Sequence, residues 1–305
     1  MTSVDICVCT YRRPQLADTL SSLAALSLPA GTTLRIIVAD NDVTPSAAPL
    51  VKRIGEAHPF PIRYLHCPAS NISTARNACL DAAVADLIAF IDDDCTASPQ
   101  WLTALLQEMQ NSGADAVLGP VEAMYADGAP GWMRRGDFHS TLPVFVRGEL
   151  RTGYTCNVLM RRTAPPLAGR RFDLALGRTG GEDTQFFTQM RQSGGTLAFA
   201  PNAQASEPVP AERARLSWLA KRKFRTGQTH GRLLATSQQL LKIKQVAIAG
   251  AKVAFCVAAA ALFVLSPVRR NRQALRGVMH AGVVSGLIGV REIVLYGEGG
   301  QSHAA

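Results

Sequence analysis

An α/β fold with a mainly parallel central sheet, joined to a helical, membrane-associated C-terminal tail, is what this 305-residue sequence predicts. Three observations carry that reading. Apolar runs alternate with helix-period segments through residues 1–120, the pattern of βαβ units. Two of those runs close on clustered carboxylates, where open α/β sheets place their ligand sites. Charge is segregated: residues 1–210 hold 17 Lys and Arg against 20 Asp and Glu, a net of −3, whereas residues 211–305 hold 15 against 3, a net of +12.

The elements follow in order. Residues 4–10 form a buried strand and 14–26 a helix with Leu16, Leu20 and Leu23 on one face. Residues 34–40 are a second strand, 46–57 a short helix, 62–66 a third strand, 73–83 a helix and 87–92 a fourth strand. Ser98 and Pro99 predict the N-cap and first position of the next helix. Beyond residue 120 the pattern loosens into a strand-like run at 152–160, a helix at 182–192 and a strand at 196–200. A long basic helix at 211–235 then carries Lys221, Arg222, Lys223 and Arg225.

Residues 246–265 are the most apolar window, a helix of about 30 Å, roughly a bilayer core. Only Lys252 interrupts it, and a lysine there can snorkel. Lys242 and Lys244 precede it; Arg269, Arg270, Arg272 and Arg276 follow, before a second, glycine-rich apolar stretch at 278–290. A single crossing would export one basic cluster, against the positive-inside tendency. A monotopic or re-entrant tail on an anionic leaflet is therefore expected, with a buried helix pair of the core as the alternative.

At 47% hydrophobic and 18% charged, the composition excludes a disordered, collagen-like or polytopic membrane protein. The overall charge of +9 invites a nucleic-acid partner, but its confinement to the last third argues against one. Seven cysteines, an odd number without a CxxC pair, read as reduced thiols of a cytoplasmic protein. The first residues lack a basic segment followed by an apolar one, so no signal peptide is expected.

Chemistry concentrates in a few clusters. Asp92-Asp93-Asp94 closes the fourth strand, where oxygen ligands suit a hard divalent cation that bridges to a diphosphate; the alternative is an acidic loop with helix capping. Asp40-Asn41-Asp42 closes the second strand and reads either as a ribose or base contact or as an Asx-turn. Thr10-Tyr11-Arg12-Arg13-Pro14 closes the first without a GxGxxG or P-loop pattern, which weakens dehydrogenase and kinase readings. Gly180-Gly181-Glu182-Asp183 opens a helix, as capping acids or as a general base on a glycine turn.

Taken in order and at this spacing, Cys9–Pro14, Val38–Asp42, Asn71-Ile72-Ser73-Thr74-Ala75-Arg76-Asn77, Asp92–Asp94 and Gly181-Glu182-Asp183 resemble family 2 glycosyltransferases, across roughly residues 4–235. The runs 153–158 and 218–231 look closest to glucosyltransferases of succinoglycan biosynthesis. The resemblance implies the nucleotide-sugar-binding GT-A fold over 1–235, with a nucleotide half at 1–120 and an acceptor half at 121–235. Residues 236–305 would then be the membrane tail. It implies that Thr10, Tyr11, Arg12 and Asp40 line the uridine pocket and that Arg76, Asn77, Asp92 and Asp93 sit at the donor. Asp92 and Asp94 would hold Mg²⁺ or Mn²⁺, and Asp183 would be the base. Many members carry a His after the base-bearing helix; here the stretch is Ala203-Gln204-Ala205-Ser206-Glu207, so Glu207 is the substitute oxygen ligand to consider.

Other residues stay double-valued. Arg222 and Arg225 are phosphate contacts or a solvated face. Trp132 and Trp218 stack on sugars or pack. Asn157 lines the acceptor side or sits in a buried strand, and Glu182 contacts the acceptor or caps. The expected activity is an inverting, metal-dependent transfer of a hexose, glucose in β-1,4 linkage by resemblance. The donor is a UDP-sugar and the acceptor a lipid-diphosphate oligosaccharide of exopolysaccharide assembly, at the cytoplasmic face of the membrane. The alternatives are a sugar-phosphate nucleotidyltransferase and a non-enzymatic basic binding protein.

Overall fold

In the computed structural model, which describes residues 1–235 and 239–290, the first part of the chain alternates strictly. β1 (Thr2–Thr10), α1 (Leu16–Ala24), β2 (Thr32–Asp40), α2 (Ala48–Gly55), β3 (Ile62–His66), α3 (Ile72–Ala82) and β4 (Leu87–Ile91) follow one another. Then come β5 (Thr96–Ala97), α4 (Trp101–Ser112), β6 (Ala116–Leu118), β7 (Val121–Tyr125), α5 (Gly131–Gly136), β8 (Phe145–Val146), β9 (Glu149–Leu150) and β10 (Asn157–Arg161). The remainder is α6 (Glu182–Gln192), β11 (Leu197–Phe199), β12 (Ala205–Val209), α7 (Leu216–Leu234), α8 (Gln239–Leu262) and α9 (Pro267–Leu287).

Seven strands form the main sheet in the order β11-β6-β10-β4-β1-β2-β3. All neighbours pair in parallel except β10, which runs antiparallel to both β4 and β6. The mainly parallel sheet is thus present with one reversed strand. The reversal sets Asn157 opposite Ile91, so the start of β10 lies at the carboxyl end of β4. Both faces of the sheet are covered, which is why β1, β2 and β4 read as continuous apolar runs. Val4, Ile6 and Val8 pack with Leu16, Leu20 and Leu23 of α1 and Trp101 of α4; Cys7, Ile37 and Phe90 pack on the other face with Ala75, Phe186 and Phe187.

Three expectations shift for local reasons. The helix after Ser98-Pro99 starts at Trp101 with Gln100 before it, because the Ser98 amide donates to the Gln204 carbonyl and holds that residue extended. The strand expected from 152 starts only at Asn157, where its ladder to β4 begins. The basic helix starts at Leu216 rather than 211, since the amides of Arg213 and Ala214 both turn back to the Pro210 carbonyl. None of the seven cysteines is in a disulfide.

Packing divides the chain into two compact units. One holds Met1–Ala123 and Ser140–Pro208, the other Met124–His139 and the described residues from Val209 onward. Residues 209–235 therefore group with the tail helices. Glycines explain it: a Cβ on Gly227 of α7 would lie 2.0 Å from the Met279 carbonyl oxygen of α9, and one on Gly286 would lie 2.2 Å from the Gln228 carbonyl oxygen. Only bare backbone allows the two helices this approach. Residues 291–305 of the expected tail lie outside the described residues.

Candidate active site

At the end of β1 the chain turns through Arg12, whose φ of +52° lies in the left-handed region, a conformation that costs a non-glycine residue about 1 kcal/mol or more. Asp42 holds it there. The Arg12 Nε donates to Asp42 Oδ2 at 2.9 Å and Nη2 lies 2.9 Å from Oδ1. The Arg12 guanidinium in turn draws the Asp42 carboxyl down to about 2. Asp40 is completely buried. Its carboxylate accepts from the Asp42 amide (3.0 Å), the Ala47 amide (2.8 Å) and the Tyr64 hydroxyl (2.7 Å). These three bonds commit Asp40 to shaping the loop, which corrects its assignment as a base or ribose contact. Beside it, the Tyr11 and Ser70 hydroxyls are buried without a protein partner. Such orphaned groups are uncommon and fit a polar ligand at the ends of β1 and β3, next to buried Thr10.

The end of β4 is the opposite case. Asp93 is buried and Asp92 half-buried. Burial, first, and the neighbouring charges of Asp94, Asp93 and Glu207 push Asp92 up to about 7. Burial and Asp94 do the same to Asp93, also to about 7. Arg13 Nη1 lies 3.3 Å from Asp94 Oδ2. Glu207, on β12, is brought within electrostatic reach of Asp92 by pairing of β12 with β5, where the Thr96 and Ser206 hydroxyls are 2.8 Å apart. Among the described residues no three acidic, His or Cys side chains form a closed metal cage. The donor set is nonetheless all oxygen, and mutual repulsion that lifts carboxyls toward neutral pH is what a divalent cation relieves. Asp92, Asp94 and Glu207 fit such an ion, with positions left for diphosphate oxygens.

α3 builds the third part. Asn71 caps it by accepting from the Ser73 amide, and also donates to the Leu174 carbonyl at 2.9 Å. Ser73 Oγ donates to the Asp173 carbonyl, and the Asn77 amide both donates to and accepts from the Phe172 backbone at 2.9 and 2.8 Å. The polar residues of this stretch thus pin the segment leading to α6. Asn77 thus has a structural task at Phe172 beside the donor contact expected of it. Arg76 is buried, forms an ion pair with buried Glu182 and lies over the Phe172 ring. Burial opposes its charge, but Glu182, Asp183 and Asp92 together raise its pKa. Glu182 is held in that ion pair through Oε1, while its Oε2 is buried without a hydrogen-bond partner. Asp183 is the more open acid of the pair, its Oδ1 accepting from the Thr184 amide at 2.6 Å. Gly180 and Gly181, at φ of +84° and +93°, make the turn that presents it.

Asn157 is fully buried. It accepts from Trp101 Nε1 at 2.8 Å and donates to the Pro120 and Ala203 carbonyls, a structural role that corrects the acceptor assignment. Trp132, Trp218, Arg222 and Arg225 belong to the second unit. There Trp132 packs edge-on to Phe138 at 4.9 Å, and Trp218 stacks on His139 with Arg213 and Arg222 over its ring. Both tryptophans are packing aromatics. A cavity of about 240 Å³ lined by Ile88, Met160 and Phe186 lies toward the amino end of β4, away from these carboxylates. Sequence reasoning missed Arg13 as an ion-pair partner and Tyr64, Ser70 and Phe172 altogether. Only the doubled arginine at 12–13 offered a local signal.

Residues 5–165 match the family described as glycosyl transferase family 2. The chain is also 60% identical over 295 residues to "Succinoglycan biosynthesis protein ExoM" of Rhizobium meliloti (strain 1021), covering 96% of each. The chain belongs to glycosyltransferase family 2. This family 2 glycosyltransferase is 27% identical over 184 residues to a glucosyl-dolichyl phosphate glucuronosyltransferase of Haloferax volcanii, covering 53% of the chain and 56% of the relative. Its fold is shared with a Pyrobaculum calidifontis mannosyltransferase solved with GDP-Man and Mn²⁺, at a TM-score of 0.64 and 17% identity over 94% of this chain and 88% of the other. S. aureus TarS 1-349 in complex with UDP aligns at a TM-score of 0.53 and 14% identity over 90% of each chain. The fold is of the GT-A kind, and the enzyme transfers sugar. The nucleotidyltransferase and basic-adaptor alternatives are set aside.

Proposed function

We propose that the enzyme transfers glucose from UDP-glucose, with inversion and in β-1,4 linkage, to a lipid-diphosphate oligosaccharide during assembly of a succinoglycan-like exopolysaccharide. The work takes place at the cytoplasmic face of the membrane. The observation that carries the catalytic part is the ion pair of Arg76 with Glu182 beside Asp183 at the start of α6, with Arg76 also near enough to Asp92 at the end of β4 to favour its charged form. Leaving-group and acceptor chemistry need those two carboxylate groups close together. The 60% identity over nearly the full length of the succinoglycan biosynthesis relative supports the pathway, and the resemblance read in the sequence supports the hexose and linkage.

In this reading the Tyr11 and Ser70 hydroxyls and Thr10 take the nucleoside, with Arg12 shaping its loop. Asp92, Asp94 and Glu207 would hold Mg²⁺ or Mn²⁺. A bound divalent cation supplies charge neutralisation for the diphosphate as the sugar–phosphate bond breaks. Asp183 accepts the proton of the acceptor hydroxyl as its oxygen attacks the anomeric carbon. A single in-line displacement turns an α-linked donor into a β-linked product. In this reading residues 1–235 carry out transfer, although 124–139 and 209–235 pack with the tail helices, and residues 236–305 attach the chain to the membrane.

A panel of UDP-sugars, each with and without Mn²⁺ or Mg²⁺, is assayed with membrane lipid extract as acceptor. The expected result is metal-dependent UDP release and movement of labelled glucose into the lipid fraction. Label transfer from GDP-mannose but not from any UDP-sugar would overturn the donor assignment.

A further inference from the structure

Helix α8 is long and apolar enough to cross a membrane, by length and composition, yet little of it is buried. Its one covered stripe includes Val246, Ala249 and Cys256, which meet Val283, Leu287 and Gly277 of α9. On the opposite side, Leu241, Ile248, Phe255 and Leu262 stand seven residues apart on one face, and Phe255 and Leu262 are 67% and 80% exposed. Exposed Lys244 lies among them, and exposed Lys252 flanks the stripe on the side toward His230 of α7 and His280 of α9. An apolar stripe of this extent marks a surface that is covered in use.

What covers it is indicated by charge and by packing direction. Residues 213–290 contain fourteen Lys and Arg and no Asp or Glu. A second copy meeting it α8 against α8 would bring exposed lysines together with no carboxylate in residues 213–290 to receive them. An anionic lipid surface receives all of them. The packing then decides the orientation. α9 runs antiparallel to α8, since Ala249 clusters with Val283 and Leu287, Gly277 meets Cys256, and Arg269 lies over the Phe263 ring. α7 runs alongside α9, with Gly227 against Gly282 and Gly231 against Gly286. Were α8 to cross the bilayer as packed, Arg272 and Arg276 of α9 and the basic turn of α7 would follow it into hydrocarbon, where each charge is costly.

We propose that α8 lies in the plane of an anionic bilayer, its Leu241–Ile248–Phe255–Leu262 stripe in the acyl boundary, with α9 and α7 on the aqueous side. This rests on the membrane attachment proposed above and adds its surface and orientation. Such a seat would place the tail at headgroup level, the depth at which a lipid-diphosphate acceptor presents its sugar.

The full-length protein is floated with vesicles of phosphatidylcholine alone or mixed with phosphatidylglycerol. Binding to the mixed vesicles is expected to exceed the other by about tenfold, and the double variant Phe255→Asp/Leu262→Asp should lose it while retaining UDP binding and its Tm. Three single variants, Leu241→Trp, Ile248→Trp and Leu262→Trp, report depth through quenching by lipids brominated near the headgroup or near the bilayer centre. Uniform shallow quenching supports the in-plane seat. Deep quenching at Ile248 with shallow quenching at Leu241 and Leu262 means a spanning helix, which overturns the orientation and leaves attachment standing. Failure of the wild type to float overturns attachment itself. A dimer in lipid-free solution that the double variant dissociates would assign the stripe to a second copy and overturn the proposal.

Discussion

At the end of β2, Asp40 and Asp42 are surrounded by donors; at the end of β4, Asp92, Asp93 and Asp94 are set among one another. Both clusters close a buried parallel strand, and in the sequence they look alike. Every oxygen of Asp40 is bonded within the protein, and Asp42 is held ionised to about pH 2 by Arg12. Asp92 and Asp93, by contrast, are pushed up to about 7 by burial and like charge. The first cluster spends its charge on the fold. The second crowds like charges that burial makes costly, and perturbed groups of that kind gather where function resides.

Substitutions should therefore separate the two ends by readout. Asp94→Ala is expected to abolish metal-dependent UDP binding and to lower turnover by about 10³-fold or more, the scale of a lost charge-stabilising group, with little change in Tm. Titration calorimetry of UDP with and without Mn²⁺ checks it; unchanged metal-dependent affinity would remove Asp94 from the metal site. Asp183→Asn should cost about 10²–10⁴-fold in transfer while leaving UDP binding nearly intact, because it removes only the proton acceptor. Turnover close to wild type in single-turnover assays would exclude the base assignment.

Arg76 joins the contrast from the other side, since it serves fold and site together. Arg76→Ala leaves Glu182 buried without its cation, which is expected to destabilise by about 3–5 kcal/mol and to raise the Asp92 carboxyl further by removing a charge that favours its ionised form. Denaturant unfolding measures the first effect. Arg76→Ala combined with Glu182→Gln should recover much of the stability but not the activity, and recovery of both would reduce the pair to packing.

How much of this was legible follows the range of the interactions. β3 and α6 run over the residues that local periodicity marks, 62–66 and 182–192, because alternation and glycine turns act within a few residues. The reversed direction of β10 is set by pairing with β4 across the sheet, and an apolar run carries no sign of direction. The different fates of Asp40 and Asp92 turn on Tyr64, 24 residues away, and on Glu207 from another sheet. Likewise Arg76 and Glu182 are 106 positions apart. The motif at 71–77 was visible as a unit, but its task of pinning residues 172–174 needed the folded chain.

The β2 end offers the smallest and cleanest test. Asp40→Asn should lose an acceptor for one of three donors and destabilise by about 2 kcal/mol without a direct loss of metal-dependent UDP binding. For the neighbouring pair the sign is fixed by linkage. The folded-state pKa of Asp42, about 2, lies below the ordinary value of 3.8, so its contribution is present above pH 3.8 and is lost as pH falls through 2. Arg12→Ala removes the main cause of that shift and, because Arg12 is 43% exposed, should cost only about 1 kcal/mol. The gap in stability between wild type and Arg12→Ala should then be constant from pH 7 to about pH 4 and close between about pH 4 and pH 2. Acid unfolding followed by circular dichroism tests it. A gap that persisted below pH 2 would mean that Arg12 acts through its left-handed backbone and packing, and the contrast between the two strand ends would have to rest on Asp40 alone.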